Sequence, residues 1–249
     1  MTSTDTAMAG YFDVLSALLR DLREQEWDAL RRAADLCAEA VAARGVIHIF
    51  DTGHLLSHEM ICRTGGLVAY TPLRIAGTVD NANPHRGAAA PAGEDADRLL
   101  VQWALSAGTL RRGDVLVMSS VSGTSALVVE LTLAAQARGV TVIAVTAVRH
   151  SSRLAPGHST GKRLHEIADL VLDDHADYGD SMLEVAGLGQ RINPASGVTG
   201  AVLMWALNAG IVERLVARGV EPSVYTSVHL PGGPGRLAEV EERYRVEGR

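Results

Sequence analysis

The segment that decides the fold is DVLVMSSVSGTS, residues 114–125, an apolar run followed at once by a turn rich in hydroxyl groups. Its first part, Asp114–Ser120, predicts a buried strand, because short apolar runs bounded by turn residues are typical of parallel sheets. A helix is predicted from Thr124 to Arg138, and it ends at Gly139, a residue type that often closes helices. The segment is therefore a strand–turn–helix unit with a polar turn.

Four other apolar runs flank this unit, and helical patterns separate them. The predicted strands are Val46–Phe50, Gly66–Tyr70, Val140–Thr146 and Asp169–Asp173, and the predicted helices are Leu56–Arg63, Asp95–Ala107, Lys162–Ala168 and Ala195–Arg218. Short strands that are apolar throughout and alternate with helices favour a parallel sheet with both faces covered. We therefore expect an α/β fold, a three-layer α/β/α, doubly wound arrangement around a mainly parallel five-stranded sheet.

An N-terminal helical arm is predicted over residues 1–44, because apolar residues recur at helical spacing from Phe12 onward. The arm is either two helices or one helix with a kink near Glu26, and it packs either on a neighbouring subunit or back on its own core. A chain of 249 residues, 47% of them hydrophobic, suffices for a single domain. We expect its core at residues 45–233 and a C-terminal tail at 234–249.

The charge balance argues against several classes of partner. Lys and Arg number 23 against 29 Asp and Glu, a net charge of −6 with no basic run, which disfavours nucleic-acid or membrane-surface binding. The two cysteines cannot form a disulfide framework and lack metal-site spacing. The first residues do not resemble a signal peptide, and the apolar stretch Gly197–Val212 is too short to span a bilayer. A cytoplasmic protein is expected.

The polar turn offers an anion site. Five hydroxyl-bearing residues flank Gly123 in the sequence: Ser119, Ser120, Ser122, Thr124 and Ser125. Backbone N–H groups at a helix N-terminus attract anions, and hydroxyls add donors without adding charge. The alternative is ordinary N-capping, for which one hydroxyl would suffice. A Walker lysine motif and a G-x-G-x-x-G fingerprint are both missing, so nucleotide hydrolysis and NAD binding are poorly supported.

The turn resembles the S-x-S-G-x-[ST] signature of the SIS (sugar isomerase) domain, which occurs in phosphosugar isomerases and phosphosugar-responsive regulators. Here the signature reads Ser-Val-Ser-Gly-Thr-Ser, residues 120–125. Four further stretches are similar to a subgroup of sugar isomerase domain-containing proteins: GVIHIFDTGHLLSHEMICRTGGLVAYTP (45–72), HSTGKRLHEIADLVLD (158–173), INPASGVTGAVLMWALN (192–208) and SVHLPGG (227–233). The resemblance covers roughly residues 45–233 and implies the SIS fold.

The resemblance also implies a ligand site. The side chains of Ser120, Ser122 and Ser125 would hold a substrate phosphate together with the backbone of Gly123 and Thr124. The loop Thr52, Gly53 and His54 would line the sugar. The subgroup usually has Gly and Ser where this chain has Asp51 and Leu55, and a more helical stretch at residues 79–93. The long irregular segment between residues 72 and 94 is either functional or mobile.

Aldose–ketose isomerisation needs a general base at a carbon acid and an acid for ring opening. Glu59 occupies the helix on which SIS isomerases often carry a catalytic glutamate, and it is our candidate base; the alternative is a solvated helix glutamate. The acid could be His150, His158 or His229, which lie in predicted loops on or near the carboxyl edge, since histidine titrates in the useful range. His54, which would line the sugar, is a further catalytic candidate.

Two further polar residues and one metal hypothesis complete the candidates. Lys162, the chain's single lysine, could contact phosphate, and Ser196 in the first turn of the last predicted helix could border the site. Ser196 could equally be an N-cap. His54 and His58 lie one helical turn apart and, with Glu59, could suggest a metal, but a third ligand with recognisable spacing is missing. We expect neither metal nor cofactor.

The function expected from these features is binding of a phosphorylated sugar, with aldose–ketose or amino-sugar phosphate isomerisation through an enediol. Two alternatives stay open: a non-catalytic phosphosugar sensor or regulator, and lyase or etherase chemistry on a sugar phosphate. A homodimer or homotetramer with a shared active site is expected, because SIS domains characteristically associate through their helices.

Overall fold

The computed structural model describes residues 5–53, 56–77, 85 and 93–249. His54 and Leu55 lie outside the described residues, and so does most of the irregular segment that the sequence places between residues 72 and 94.

The described residues form a five-stranded sheet in the order β2-β1-β3-β4-β5, with every neighbouring pair parallel. The strands are β1 (Ile47–Asp51), β2 (Tyr70–Pro72), β3 (Val115–Ser119), β4 (Thr141–Thr146) and β5 (Leu170–Asp173). The predicted α/β/α architecture with five parallel strands is confirmed.

Helices cover both faces of this sheet. They are α1 (Thr6–Gln25), α2 (Trp27–Ala42), α3 (Leu56–Met60), α4 (Glu94–Ala107), α5 (Ala126–Ala137), α6 (Val148–Ser151), α7 (Leu164–Ile167), α8 (Ser196–Ala217) and α9 (Gly233–Glu247). Alternate strand residues point to opposite faces. Ile47, Ile49 and Val117 therefore pack with α2 and α8, whereas Leu116 and Met118 pack with α4 and α5.

The second strand is shifted from its predicted position. The apolar run Gly66–Ala69 is largely buried, but its partner is the C-terminal segment: Leu67 forms an antiparallel bridge with Val224, and the Val68 amide donates to the Ser223 carbonyl at 2.9 Å. The sheet pairing with β1 begins only at Tyr70. A segment that is buried under a distant part of the chain has the same apolar sequence pattern as a strand that is buried in the sheet.

The N-terminal arm consists of two helices that break at Glu26, as one of the two predicted forms has it. Helix α2 packs on α8 of the same chain, so the arm folds back on its own core. The Glu26 carboxylate accepts hydrogen bonds from His175 Nε2 at 2.9 Å and from the Asp173 amide at 3.1 Å. The His175 side chain is mostly buried in this contact.

The residues expected only as a C-terminal tail form α9. This helix carries many charges and few apolar residues, so its sequence lacks the apolar stripe that predicts a helix. It is held by Arg243, whose guanidinium contacts Glu221, the Pro222 carbonyl and Ser223 Oγ. Helix α8, by contrast, is long and apolar enough to cross a membrane by length and composition. Core helices pass the same test, and one face of α8 lies in the core against α2.

Candidate functional site

The carboxyl ends of β1 and β3 lie side by side at the point where the strand order reverses. Ligands of doubly wound sheets bind at such a switch point. Asp51 is the register partner of Ser119, and the Thr52 amide donates to the Ser119 carbonyl at 3.1 Å. Two segments therefore meet here, the first loop (residues 51–53) and the serine turn (residues 119–125).

Close packing fixes the backbone of the serine turn. Gly123 has φ +57°, and a Cβ at this position would lie 2.8 Å from Leu164 Cβ. The Gly123 carbonyl accepts the Leu164 amide at 2.8 Å, and the Thr124 carbonyl accepts the Gly157 amide at 2.9 Å. The β4–α7 segment (residues 147–163) and the start of α7 thus hold the backbone of the turn in place through these two hydrogen bonds, in a conformation that favours glycine at position 123.

The hydroxyls of the turn divide into two groups. Ser125 Oγ accepts the Val128 amide at 3.4 Å and is the N-cap of α5, and the buried Ser120 Oγ accepts the Gly123 amide at 3.2 Å. Ser122 and Thr124 are half-buried, with their hydroxyls 3.5 Å apart. The capping interpretation therefore applies to Ser125, while Ser122 and Thr124 lie beside the positive end of α5.

Asp51 stabilises the first loop, and it is a residue at which this chain differs from the subgroup that it resembles. The Asp51 carboxylate accepts the Gly53 amide at 2.9 Å and the Ser57 amide at 3.3 Å. These bonds hold Gly53, whose φ is +119°, and cap the start of α3. Asp51 therefore fixes the backbone conformation of the first loop.

A cleft of about 450 Å³ opens at the carboxyl edge between the first loop and α5. Its lining is Phe50, Asp51, Thr52, Gly53, Ser57, His58, Leu73, Arg74, Ile75 and Leu127. The predicted sugar-lining residues Thr52 and Gly53 are among them, whereas no hydroxyl of the serine turn is. Arg74 is an exposed cation in this cleft that our sequence reasoning missed. It lies two residues after β2, but four residues after the end of the predicted strand Gly66–Tyr70, so the signal in the sequence was only weak.

Glu59 is not directed into this cleft. Its Oε1 accepts Trp205 Nε1 of α8 at 3.1 Å and lies 3.4 Å from Arg63 Nη2. His58, the preceding residue, lines the cleft. Consecutive helix residues point about 100° apart, so one of the two faces the cleft and the other faces α8. Glu59 is therefore a partly exposed side chain with two hydrogen-bond partners.

The candidate histidines lie in three different environments. His150 is in α6, and its Nδ1 accepts the Gly179 amide at 3.1 Å, which leaves Nε2 as the protonated nitrogen of the neutral ring. His158 is buried between two glutamates. His229 is exposed, and the segment before it pairs with Leu67, beyond the amino end of β2. The structure thus brings His229 to neither the cleft nor the serine turn.

Lys162 and Ser196 are also separated. Lys162 is exposed two residues before Leu164, whose amide binds the serine turn, so its backbone lies beside the turn. Ser196 is buried, and its Oγ donates to Asp180 Oδ2 at 2.6 Å. Asp180 Oδ1 accepts the Ala195 and Ser196 amides, so Asp180 caps α8.

One strongly perturbed carboxyl lies at the same edge of the sheet. Burial raises the pKa of Asp174, which follows β5, to about 7. Its Oδ1 accepts the Ala176 amide at 2.8 Å, and the nearby Asp173 and Asp180 raise its pKa further. No feature of the sequence distinguishes it from the neighbouring aspartate.

Comparison with known proteins gives consistent results. A family model described as the SIS domain matches residues 10–147. A UPF0309 protein of Streptomyces griseus is 34% identical over 248 residues, covering 97% of each chain. A UPF0309 protein of Brucella anthropi is 34% identical over 237 residues, covering 94% of this chain and 95% of its own.

Two solved structures resemble the fold. Phosphoheptose isomerase of Neisseria gonorrhoeae has a TM-score of 0.55 at 21% identity, covering 85% of this chain and 100% of its own. Phosphoheptose isomerase of Francisella tularensis has a TM-score of 0.51 at 15% identity, covering 86% of this chain and 100% of its own. At these identities the likeness shows a shared fold.

Proposed function

This chain belongs to the SIS domain family, and on that premise we propose that it binds a phosphorylated sugar at the switch point and isomerises it. The reaction is an aldose–ketose or amino-sugar phosphate isomerisation through an enediol, and a carboxylate and an imidazole suffice to move its protons. The observation that carries the proposal is the serine turn: a tightly packed turn at the N-terminus of α5 with two half-buried hydroxyls, those of Ser122 and Thr124, near the cleft.

The phosphate is held by the serine turn. The N-terminal amides of α5 and the hydroxyls of Ser122 and Thr124 supply donors, and the dipole of α5 favours the dianion. Arg74 in the cleft and Lys162 beside the turn add positive charge. Ser119, Ser120 and Ser125 contribute by holding the backbone in shape.

The sugar occupies the cleft beside the first loop. Glu59 removes a proton from the carbon next to the carbonyl, and the same carboxyl returns it to the neighbouring carbon of the enediol. This role requires the Glu59 side chain to turn from Trp205 toward the sugar, a change of rotamer on the short helix α3. Among the residues that the structure describes, our candidate for the ring-opening acid is His150, which would act through Nε2–H.

The active form is a cytoplasmic homodimer that shares its sites between subunits. Support comes from a groove of about 610 Å³ between α2 and α8, which Trp27, Leu30 and small residues of α8 line together with Arg31, Glu213 and Arg214. Trp27 is 58% exposed and Val216 on α8 is 61% exposed. Large exposed apolar side chains on two helices that pack together are typical of an interface. His229 and Ser196 stay predictions, and a second subunit could bring His229 to a site.

A thermal-shift series tests phosphosugar binding. Hexose, heptose and N-acetylhexosamine phosphates are compared with the same sugars lacking phosphate. A ligand at a hundred times its dissociation constant adds about 2.7 kcal/mol of stability. We expect stabilisation by at least one phosphate ester and a much smaller effect of its unphosphorylated sugar. Equal stabilisation by both would refute the serine turn as the anchor.

Turnover of any stabilising ester is then followed by NMR of both isomers. Glu59→Gln should lower turnover by about 10²- to 10⁴-fold while binding is retained. Glu239→Gln, which alters an exposed glutamate of α9, is the control and should leave both unchanged. Undiminished turnover in Glu59→Gln would remove Glu59 from the mechanism.

A second candidate function is phosphosugar sensing without catalysis. The contact between Glu59 and Trp205 favours it, because the carboxylate is directed to α8 and not into the cleft. Tight binding of a phosphate ester with no conversion by the wild-type protein would select the sensor over the isomerase.

A further inference from the structure

Three potential metal ligands converge outside the switch-point cleft. Glu94 is the first residue of α4, Glu130 lies in the middle of α5, and His158 lies in the β4–α7 segment. Their side chains bring one ligand atom each to within 4.8 Å of one another. His158 Nε2 is 3.4 Å from Glu94 Oε1 and 3.3 Å from Glu130 Oε1. We call these three residues the Glu–Glu–His cluster.

His158 points a nitrogen into this cluster with no hydrogen bond to satisfy it. Its side chain is only 3% exposed, and Nε2 is buried without a hydrogen-bond partner among the described residues. The other ring nitrogen, Nδ1, lies 2.9 Å from Thr160 Oγ1 and 3.2 Å from the Thr160 amide nitrogen. In the tautomer whose Nδ1–H donates to Thr160 Oγ1, Nε2 presents its lone pair to the cluster, which is the form in which an imidazole ligates a metal. Burying an imidazole nitrogen without a partner is costly, so the ring orientation needs a reason.

The distances match the edges of a tetrahedral metal site. Bonds of about 2.0–2.1 Å to nitrogen and oxygen, at tetrahedral angles, place neighbouring ligand atoms about 3.3–3.4 Å apart. The two separations from His158 Nε2 have these values. One imidazole and two carboxylates form a ligand set suited to zinc and similar divalent transition metals rather than to calcium or magnesium.

Outer groups hold the two carboxylates in position. Arg98 donates to Glu130 through Nε at 2.8 Å and to Glu94 through Nη2 at 2.9 Å. Ser159 donates to Glu94 through its amide and its hydroxyl, at 2.7 and 2.6 Å. The Ser159 bonds lower the pKa of Glu94, so its carboxylate is ionised at neutral pH. Two carboxylates against one guanidinium leave an excess negative charge for a cation, and such outer hydrogen bonds are usual around metal ligands.

We propose that the Glu–Glu–His cluster binds one divalent transition-metal ion of the zinc class, with water completing its coordination. The ion ties α4 and α5 to the β4–α7 segment. That segment also contains Gly157, whose amide binds the Thr124 carbonyl of the serine turn. The site is thus a structural clamp beneath the serine turn, separate from the proton transfers described above.

Cobalt(II) is the probe, because its visible spectrum reports ligand number and type. The full-length protein is treated with chelator, dialysed, and titrated with Co²⁺, and the titration is repeated in competition with Zn²⁺. We expect one equivalent with the intense absorption of a four-coordinate ion. Glu130→Gln and His158→Asn should each weaken Co²⁺ binding by at least the roughly 10- to 100-fold that loss of an outer partner costs.

Two control variants make the test specific. Asp95→Asn removes an exposed carboxylate that pairs with Arg98 but lies outside the cluster, and it should bind Co²⁺ like the wild type. His58→Asn tests the other metal hypothesis, at α3, and should also bind normally. Octahedral spectra, several weak sites, or loss of binding in His58→Asn with retention in Glu130→Gln would overturn the proposal. Circular dichroism of each variant shows whether it is folded.

Discussion

Replacing Gly123 tests how far the conformation of the serine turn depends on its packing against Leu164. Gly123→Ala places a methyl group 2.8 Å from Leu164 Cβ at a φ of +57°. We expect a loss of roughly 2–4 kcal/mol in the free energy of unfolding, from the left-handed backbone and the clash together. Binding of a phosphate ester should be lost as well.

Gly161→Ala is the matched control for this prediction, since Gly161 has φ +68° and open space where its Cβ would lie. It should cost only the backbone part, about 1–2 kcal/mol. Chemical denaturation of both variants measures the difference. Equal losses would show that contact with Leu164 does not restrain the turn.

Asp174 predicts a pH dependence of stability. Its pKa is about 7 in the folded protein, against 3.8 for an unperturbed aspartate. The folded state therefore binds this proton more tightly, and Asp174 lowers stability as the pH rises from about 4 to about 7. Asp174→Asn, which keeps an acceptor for Ala176, should match the wild type below about pH 4 and exceed it by about 2–4 kcal/mol above about pH 7. Urea melts across this pH range test the prediction, and a difference independent of pH would contradict it.

At the residue scale, the sequence predicts contacts between residues close together in the chain but not contacts between distant residues. N-capping by one hydroxyl of the turn is a local contact and was one of the two interpretations of this segment; the structure assigns it to Ser125, because α5 begins two residues later than predicted. The Glu–Glu–His cluster joins residues 94, 130 and 158, which have no motif spacing and meet only after three elements have packed. Arg74 likewise becomes a cleft residue only through the fold.

At the scale of elements, Glu26 links the N-terminal arm to β5. It is buried at the break between α1 and α2 and receives His175 and the Asp173 amide. Glu26→Ala leaves both donors unsatisfied, and we expect a loss of about 2–4 kcal/mol in unfolding free energy. Glu24→Ala, at an exposed position of α1, is the control.

The same contact has a pH signature. The hydrogen bond with Glu26 raises the pKa of His175 in the folded protein. Its stabilisation is therefore complete below the ordinary histidine pKa and is lost as the pH rises through the folded value. The stability difference between wild type and Glu26→Ala should shrink toward alkaline pH. A difference that grows with pH would contradict the assigned pair.

The elements themselves were predictable where burial and periodicity agree. All five strands were expected, four of them within about one residue of their ends. The second was misplaced because Gly66–Ala69 is covered by a distant segment of the chain. Helix α9 was missed because charged residues dominate it, and its contacts through Arg243 involve residues about twenty positions away.

At the scale of the whole molecule, the exposed face of α2 and α8, with Trp27 and Val216, predicts self-association. Trp27→Glu and Val216→Glu place charges in this face and should convert a dimer to monomers, because desolvating an unpaired carboxylate is costly. Trp103→Glu alters a similarly exposed tryptophan on α4, in the opposite layer, and should leave the dimer intact. Light scattering after size exclusion gives the masses. A dimer in all three variants would place the interface elsewhere.

The meeting of the first loop with the serine turn has a consequence for how such proteins diversify. Among the described residues, the hydrogen bonds that join them run from the amide and the hydroxyl of Thr52 to the single carbonyl of Ser119. The serine turn is held from α7 and the segment before it, whereas Asp51 holds the first loop. The part that recognises the carbohydrate and the part that grips the ester are therefore separable modules. Exchanging residues 51–59 for those of another family member should retarget the protein to a different sugar while its demand for a phosphate survives.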